Sequence, residues 1–297
     1  MAIIVTGASG LLGSALVGAL REQGERVVRL VRRAPQGEDE SFWQPAKGLL
    51  DPAALDGAEA VVHLAGAGIG DKRWTDSYKR EIYDSRVDGT RTLVTALNAL
   101  SRPPQVLVSA SGVGFYGDTG DHAVDESGPR GEGFLAELCE RWEGEARAAG
   151  DGGIRTAQLR TGLVLSGKGG ALRQMLPIFK LGLGAPLASG RQYWSWITVD
   201  DWVGAVLHVL RNRQVEGPVN LTGPAPVTNA DFTKALGRAL RRPTMPIPVP
   251  EFALRLGLGE FAGEGLVFGQ RALPAKLTGS GYGFRHTRLD EALAAVL

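Results

Sequence analysis

Ala2-Ile3-Ile4-Val5-Thr6-Gly7-Ala8-Ser9-Gly10-Leu11-Leu12-Gly13 is the stretch of sequence that decides the fold of this chain. Its apolar start predicts a short buried strand, and apolar residues at helical spacing continue after it as far as Gly24. The glycines between them allow a sharp turn, a close approach of backbone to a pyrophosphate, and tight packing of helix against strand. Free amides and the helix dipole favour a diphosphate there. The stretch predicts a dinucleotide-binding unit; the simpler alternative is a glycine-rich turn without a ligand.

Strand and helix patterns alternate through the first half of the chain, which predicts an α/β fold with a parallel sheet. Because crossovers between parallel strands are right-handed, this order gives a Rossmann-type doubly wound sheet. The predicted strands cover residues 2–5, 26–31, 58–66, 105–110 and 154–159, and the predicted helices cover residues 11–24, 75–100 and 133–150.

The pattern changes after residue 165. A glycine-rich loop at 166–170 comes first, and prolines at positions 243, 246, 248 and 250 later forbid regular helix. Between them, Trp194 and Trp196 alternate as in a strand over 193–199. We expect a Rossmann domain of residues 1–165, to which 200–222 returns, and a smaller, discontinuous C-terminal α+β lobe of residues 166–199 and 223–297.

Composition excludes several classes of partner. The 297 residues carry a formal net charge of +1, too little to attract nucleic acid or an anionic membrane surface. No stretch has the apolar length of a membrane span. The single cysteine, Cys139, cannot form an intramolecular disulfide, which fits a reducing compartment. We therefore expect a cytoplasmic protein with no nucleic-acid or membrane partner.

The end of the second predicted strand indicates which dinucleotide is preferred. Folds that bind NAD usually place an acidic residue there for the ribose hydroxyls, but this strand ends in Arg32-Arg33. A guanidinium can hold the 2′-phosphate of NADP by two parallel hydrogen bonds. The sequence favours NADP(H) over NAD(H), unless both arginines are merely solvated at a strand end.

Taken together, these motifs resemble the short-chain dehydrogenase/reductase superfamily in its extended, sugar-nucleotide-epimerase form. The resemblance covers about two thirds of the chain. The matching segments are Thr6-Gly7-x-x-Gly10-x-x-Gly13, His63-Leu64-Ala65-Gly66, Asp88-Gly89-Thr90, Ser109-Ala110-Ser111, Phe115-Tyr116-Gly117 and Asp200-Asp201.

The sequence also resembles a narrower group, the YfcH-type epimerase family proteins, which carry a C-terminal domain of unknown function. Its resemblance implies an NAD(P)-binding fold and leaves the substrate open. The residues that carry it include Arg73-Trp74-Thr75, Ser85-Arg86, Phe134-Leu135, Trp142-Glu143, Gly169-Gly170-Ala171-Leu172, Trp196-Ile197, Gly269-Gln270-Arg271 and Gly283-Phe284.

The glycine turn, the second strand's end and the carboxyl ends of the later strands are expected to contact the cofactor. The superfamily further suggests a homodimer formed through the two long helices. His286 has no carboxylate or cysteine set at ligand spacing, so we expect no metal site. The predicted cofactor contacts are Thr6, Gly7, Ser9, Gly10, Leu11, Leu12, Gly13, Arg32, Arg33, Leu64, Ala65, Gly66, Ser109 and Thr161.

The superfamily's proton relay is missing from this sequence. That relay is a tyrosine four residues before a lysine, whose charge lowers the phenol pKa. None of the five tyrosines is followed by lysine at this spacing, and the aligned positions are Leu135 and Cys139. The superfamily's asparagine is likewise replaced by Arg86, and its serine or threonine falls near Gly112. These departures argue against the usual oxidation-driven epimerisation.

If catalysis is retained, another acid or base must serve. Our first candidate is Tyr116 with Ser111 as its hydrogen-bonding partner; the alternative is that Tyr116 is structural. His63 is expected to be a packed strand residue and Cys139 a buried small hydrophobe. Weaker candidates with structural alternatives are Glu126, expected on the loop surface; Lys168, Arg73, Arg160 and Arg191, for a substrate anion; and Trp194 and Trp196, for stacking or the interdomain core.

The sequence is compatible with two functions. The chain is either an NADP(H)-dependent oxidoreductase or epimerase with an unconventional acid, acting on a small-molecule substrate, or a non-catalytic dinucleotide-binding sensor or scaffold. The fold supports both functions.

Overall fold

The computed structural model describes residues 2–297, arranged as a large sheet with helices on both faces and further elements beyond one end. Its strands are β1 (Ala2–Thr6), β2 (Arg26–Val31), β3 (Glu40–Gln44), β4 (Leu49–Leu50), β5 (Ala60–His63), β6 (Val106–Gly112), β7 (Ala123–Val124), β8 (Arg155–Thr161), β9 (Leu163–Leu165), β10 (Tyr193–Trp194), β11 (Trp196–Thr198), β12 (Gly217–Leu221), β13 (Val227–Thr228) and β14 (Arg271–Ala272). Its helices are α1 (Leu11–Glu22), α2 (Asp76–Asn98), α3 (Phe134–Arg147), α4 (Gly170–Lys180), α5 (Val199–Arg211), α6 (Asn229–Ala239), α7 (Glu251–Leu258), α8 (Ala275–Gly279) and α9 (Leu289–Val296).

The main sheet confirms the predicted fold class. Its strand order is β12-β8-β6-β5-β1-β2-β3-β4, and all neighbours are parallel except β3 and β4. The chain moves outward from β1 in one direction through β2 and β3, then in the other through β5 and β6. A doubly wound sheet binds ligands where this direction reverses, outside the carboxyl ends of the strands. That point lies between β1 and β5.

The central strands are buried on both faces. Ile3 and Val5 pack into one apolar cluster with Leu16 of α1 and Trp202 of α5, whereas Ile4 packs into the opposite cluster with Leu97 of α2. Successive strand residues point to opposite faces, so a run of apolar residues fills both layers. This is why the opening of the chain lacks polar alternation.

A third cluster forms the core of the region beyond the sheet. It joins Leu172 of α4, Phe232 of α6 and Leu293 of α9, with Trp196 fully buried among them. The segment between these elements returns to the main sheet, since β12 pairs with β8 and α5 packs beside α1. The predicted domain boundaries stay a prediction.

The predicted strand over 193–199 was wrong in its continuity. It is interrupted at Ser195, and the two pieces pair with different partners: β10 is antiparallel to β13, and β11 is parallel to β9. The Ser195 hydroxyl donates to the Gln270 carbonyl at 2.7 Å and accepts from the Ala272 amide at 2.8 Å. These bonds join β14 to the break. No helix within residues 2–297 is long and apolar enough to cross a membrane.

Candidate functional site

The turn after β1 has the geometry that its glycines predict. Gly7 has φ of +67°, and a Cβ there would lie 2.7 Å from the Leu64 carbonyl carbon. A Cβ on Gly13 would lie 2.2 Å from the Gly7 carbonyl oxygen. Both positions therefore require glycine because the protein's own backbone fills the space that a side chain needs.

Gly10 differs from the other two glycines. A Cβ at Gly10 would meet only the Gly7 carbonyl oxygen, at an ordinary 3.4 Å, and Gly10 itself is exposed. It is the N-cap of α1, where no side chain caps the helix and the first turn has no acidic residue. By contrast, Thr75 caps α2 through its side chain. The start of α1 thus has backbone donors without a side-chain cap and the positive end of the dipole without a carboxylate in the first turn, as an anion-binding helix start requires.

A buried hydrogen-bond network connects the ends of β1 and β5. The Thr6 hydroxyl donates to His63 Nδ1 at 2.7 Å and accepts from the Leu64 and Ala65 amides. His63 Nε2 lies 3.0 Å from the Thr90 hydroxyl, which itself donates to a backbone carbonyl of α2. This pattern assigns the proton to Nε2. Burial lowers the pKa of His63 to about 4, so the ring is neutral and structural.

Parallel strands bring most of the predicted cofactor contacts to one edge of the sheet. Thr6, Arg32, Leu64–Gly66 and Thr161 all lie at or just beyond the carboxyl ends of neighbouring strands. Ser9 is exposed in the turn, and Leu12 is partly buried at the start of α1. Leu11 lies against the later glycine loop, since a Cβ on Gly169 would be 3.3 Å from its Cδ1.

Two predicted contacts have protein partners for their hydroxyls. Ser109 is fully buried inside β6, and its hydroxyl lies 3.4 Å from the Ala110 carbonyl oxygen. The Thr161 hydroxyl accepts from the Trp202 indole at 3.1 Å. The cofactor contacts of both residues stay predictions.

The two arginines after β2 have different surroundings. Arg33 forms a two-pronged ion pair with Glu40, at 2.7 and 2.6 Å. That carboxylate is 2% exposed, and hydrogen bonding to Arg33 lowers its pKa to about 2. Arg32 is exposed and forms no ion pair within residues 2–297. Of the two guanidinium groups, only that of Arg32 is available for a ligand phosphate.

The predicted acid Tyr116 lies in a buried polar cluster. Its hydroxyl donates to the Asn220 side-chain oxygen at 2.8 Å and accepts from Arg160 Nη1 at 3.0 Å. The Ser111 hydroxyl does not reach Tyr116 and instead donates to Glu143 at 2.7 Å. Burial raises the pKa of Tyr116. The catalytic roles of Tyr116 and Ser111 stay predictions.

The face of α3 that replaces the proton relay is apolar. Leu135 packs on the loop after β6: a Cβ added to Gly114 of that loop would lie 3.1 Å from the Leu135 Cβ. Cys139 is 5% exposed, and burial raises the pKa of its thiol to about 11. Neither residue exchanges protons near neutral pH.

The start of α3 is occupied by a carboxylate from the C-terminal region. Glu264 accepts hydrogen bonds from the Phe134 and Leu135 amides at 2.9 and 2.7 Å. Nearby, Phe261 packs on Trp74, with ring centroids 5.6 Å apart. No motif of the sequence indicated this contact, which places residues 251–268 beside the starts of α2 and α3.

Most of the other candidates have partners within the protein. Glu126 was wrongly expected on the surface: it is 8% exposed and accepts from the Asn220 and Lys276 amides. Arg160 is paired with Glu143, and Trp194 and Trp196 belong to the apolar core around α6. Arg73 donates to the Leu256 carbonyl, Arg191 is an exposed partner of Asp121, and Lys168 is exposed. No group of metal ligands occurs within residues 2–297.

Comparisons with known proteins agree with this geometry. Residues 3–221 match the model of the NAD dependent epimerase/dehydratase family, and residues 249–296 match a domain of unknown function, DUF1731. An epimerase family protein of Mycobacterium tuberculosis is 48% identical over 98% of this chain and 96% of its own length.

Solved structures give the same result. The crystal structure of the human epimerase family protein SDR39U1 with NADPH has a TM-score of 0.90 and 33% identity, covering 100% of this chain and 99% of that one. MoeE5 in complex with UDP-glucuronic acid and NAD shares the fold, with a TM-score of 0.77 and 22% identity over 99% of this chain and 97% of that one. The chain therefore belongs to the NAD dependent epimerase/dehydratase family.

Proposed function

We propose that the chain binds NADP(H) across the carboxyl ends of β1 and β5 and acts as an oxidoreductase or nucleotide-sugar-epimerase-like protein on an unidentified small molecule. The observation that carries this proposal is the open surface at Gly10. Contacts within the described protein leave room for a Cβ at Gly10. A diphosphate that approaches the backbone closely would not leave that room, and it explains the glycine. The uncapped start of α1 supplies the donors and the dipole.

The choice of NADP(H) over NAD(H) rests on Arg32. Its guanidinium is exposed at the end of β2, with no carboxylate partner in the described part of the chain, at the position where the 2′-phosphate of an adenosine ribose is expected. The buried Glu40 nearby is occupied by Arg33, so it offers no free carboxylate to a ribose hydroxyl. The related human protein, whose structure contains NADPH, supports the same preference.

The acid for the reaction is proposed to be Tyr116. Its hydroxyl is held between a guanidinium and an amide oxygen beside the carboxyl ends of β6 and β8. Because the pKa is raised by burial, the phenol is protonated near neutral pH and suits an acid better than a base. Ser111 is connected to Tyr116 indirectly: its hydroxyl donates to Glu143, Glu143 accepts from Arg160, and Arg160 donates to the Tyr116 hydroxyl.

A second function, a sensor or scaffold that binds the dinucleotide without turnover, is favoured by one observation. The positions of the proton relay hold Leu135 and a neutral Cys139 thiol. The cofactor would then order the cleft for a partner rather than transfer a hydride.

One experiment distinguishes the two functions. NADPH and NADH are titrated calorimetrically into the protein, and NADPH oxidation is then followed with a panel of carbonyl metabolites and sugar nucleotides. Turnover that is lost in Tyr116→Phe supports the enzyme, while tight NADPH binding without any turnover supports the sensor. If neither nucleotide binds, both proposals are wrong.

Assembly and location are part of the same proposal. We infer a homodimer formed by α2 and α3, on the strength of the superfamily resemblance, with sedimentation velocity as the test. We propose a cytoplasmic location and no nucleic-acid partner, because the only cysteine is buried and reduced and the net charge is +1. A shift to higher sedimentation coefficient with protein concentration is expected.

A further inference from the structure

We propose that Arg86 of α2 is the anchor for an anionic group of the substrate, a carboxylate or a phosphate, bound beside the carboxyl end of β5. This inference rests on the proposed function, because it assigns a substrate class to the same cleft. It concerns a residue that replaces the superfamily's asparagine and that no predicted role has used.

The Arg86 guanidinium is buried and incompletely bonded. The residue is 7% exposed, and its hydrogen bonds to described residues come from Nη1, to the carbonyls of Ala67 at 2.9 Å and Ile82 at 3.3 Å. Nε is buried without a partner. Guanidinium has five donors, so most of its capacity is unused.

The charge of Arg86 has no counter-charge among the described residues. No carboxylate lies within ion-pair distance of it in the part of the chain from 2 to 297. Its titratable neighbours are neutral: burial raises the pKa of the Cys139 thiol to about 11 and also raises that of Tyr78. Burial of a cation without a paired anion costs free energy, and an anion that pairs with it and accepts its hydrogen bonds would remove this cost.

Arg86 lies close to the carboxyl end of β5, beneath Gly66. Its Cζ lies 3.1 Å from where a Cβ on Gly66 would be, so a side chain at Gly66 would press on the guanidinium. Gly66 is exposed and follows β5 at the edge where the dinucleotide is proposed to bind. Trp142 covers the other side, with its ring centroid 5.1 Å from Cζ. The guanidinium thus lies between the exposed Gly66 and the Trp142 ring.

The missing anion is assigned to the substrate rather than to the cofactor. The dinucleotide carries its charges on the diphosphate, which the start of α1 accommodates, and on the 2′-phosphate, which Arg32 accommodates. The start of α1 follows β1 and Arg32 follows β2, whereas Arg86 lies on α2, which follows β5. A second ligand must therefore bring the anion.

The test uses the full chain saturated with NADPH, into which inorganic phosphate or acetate is titrated at constant ionic strength. The probe is the Arg86 Nε–H signal in ¹⁵N-arginine spectra, assigned with Arg86→Lys. We expect a saturable shift with one of the two anions, which identifies phosphate or carboxylate as the group recognised. Arg86→Met should weaken anion binding at least tenfold and change NADPH affinity less than twofold, while Arg238→Met, in an exposed ion pair, changes neither.

Three results would overturn the proposal. One is the absence of a saturable shift with either anion in protein that binds NADPH; another is equal anion binding in Arg86→Met. The third is a more than tenfold loss of NADPH affinity in Arg86→Met, which would assign the charge to the cofactor. If NADPH does not bind, the proposed function is wrong. In that case the same titration of phosphate or acetate into cofactor-free protein tests whether Arg86 binds an anion. The wild-type signal gives a result even if Arg86→Met does not fold.

Discussion

Arg160 and Glu143 form a doubly hydrogen-bonded ion pair inside the protein, with Nε to Oε1 at 2.8 Å and Nη2 to Oε2 at 2.9 Å. Their side chains are 3% and 0% exposed. The pair joins β8 to α3 and also holds the hydroxyls of Tyr116 and Ser111. The pair helps to position the proposed acid, because the Tyr116 hydroxyl accepts from Arg160 while it donates to Asn220.

Glu143→Gln is expected to lower the free energy of unfolding by about 3–5 kcal/mol, because it leaves a buried guanidinium without its counter-charge. Urea denaturation measures the change. The control is Asp56→Asn, which breaks an ion pair with Arg102 whose side chains are 58% and 78% exposed, and which should cost less than about 1 kcal/mol. Equal losses in the two variants would contradict a special role for the buried pair.

Gly10→Ala and Gly13→Ala should separate binding from folding. A Cβ on Gly10 meets the protein at 3.4 Å, so this variant should keep its stability while NADPH affinity falls about tenfold or more. A Cβ on Gly13 would be 2.2 Å from a carbonyl oxygen, so that variant should lose about 1–3 kcal/mol of stability. Thermal unfolding and calorimetry provide both numbers. Unchanged NADPH affinity in Gly10→Ala would be inconsistent with a diphosphate at this turn.

Arg32→Ala should weaken NADPH by about 10- to 100-fold, since a hydrogen bond to a charged group contributes about 1.5–3 kcal/mol. NADH affinity should change less than about twofold, because NADH lacks the 2′-phosphate. Arg33→Ala is the matched control, as its guanidinium is already bound to Glu40. The assignment of Arg32 fails if both nucleotides lose affinity equally, or if Arg33→Ala shows the larger selective loss.

His63 should make stability depend on pH. Its folded pKa is lowered by burial from 6.5 to about 4, so between these values the unfolded chain binds more protons. The free energy of unfolding should therefore fall as pH decreases from 6.5 to 4, by up to about 3 kcal/mol from this residue. In His63→Asn that dependence should be shallower, whereas His122→Asn, at an exposed position, should retain it. Equilibrium unfolding at several pH values tests this, and identical slopes in the wild type and His63→Asn would refute it.

Glu264→Ala should loosen the C-terminal region. The carboxylate satisfies two free amides at the start of α3, a contact of about 1–2 kcal/mol. We expect faster hydrogen exchange over residues 251–268 and at Phe134 and Leu135. Glu260→Ala, which removes an exposed partner of Lys79, is the control. Exchange that is unchanged in Glu264→Ala, or equally fast in both variants, would exclude the capping role.

Several elements were predictable because their signals are local. The strand, glycine turn and helix at 2–22 follow from an apolar run, three glycines and a helical period in one continuous stretch. The long helix α2 is a second example, with its cap at Thr75 and apolar residues at helical spacing. Hydrophobic periodicity and turn chemistry act over a few residues, so the sequence alone carries them.

Pairing between distant segments was not predictable in the same way. The break at Ser195 depends on β14, some 75 residues later, and the burial of Glu126 depends on the amides of Asn220 and Lys276. A single sequence does not state which distant backbone groups need a partner. From the sequence alone, Glu126 is therefore predicted on the surface and Ser195 within a regular strand, because the segments that contact them are distant in the chain.

The sequence by itself determined the doubly wound sheet, because the order of strands and helices decides it, and its glycine spacing predicts a dinucleotide site at the turn after β1. Only the tertiary structure decided which charges are free there. Arg33 is bound because β3 brings Glu40 beside β2, while Arg32 stays exposed. Arg86 is buried with no carboxylate partner among residues 2–297 because α2 packs beside α3. The availability of a charge depends on what lies across from it in space, and that is set by packing.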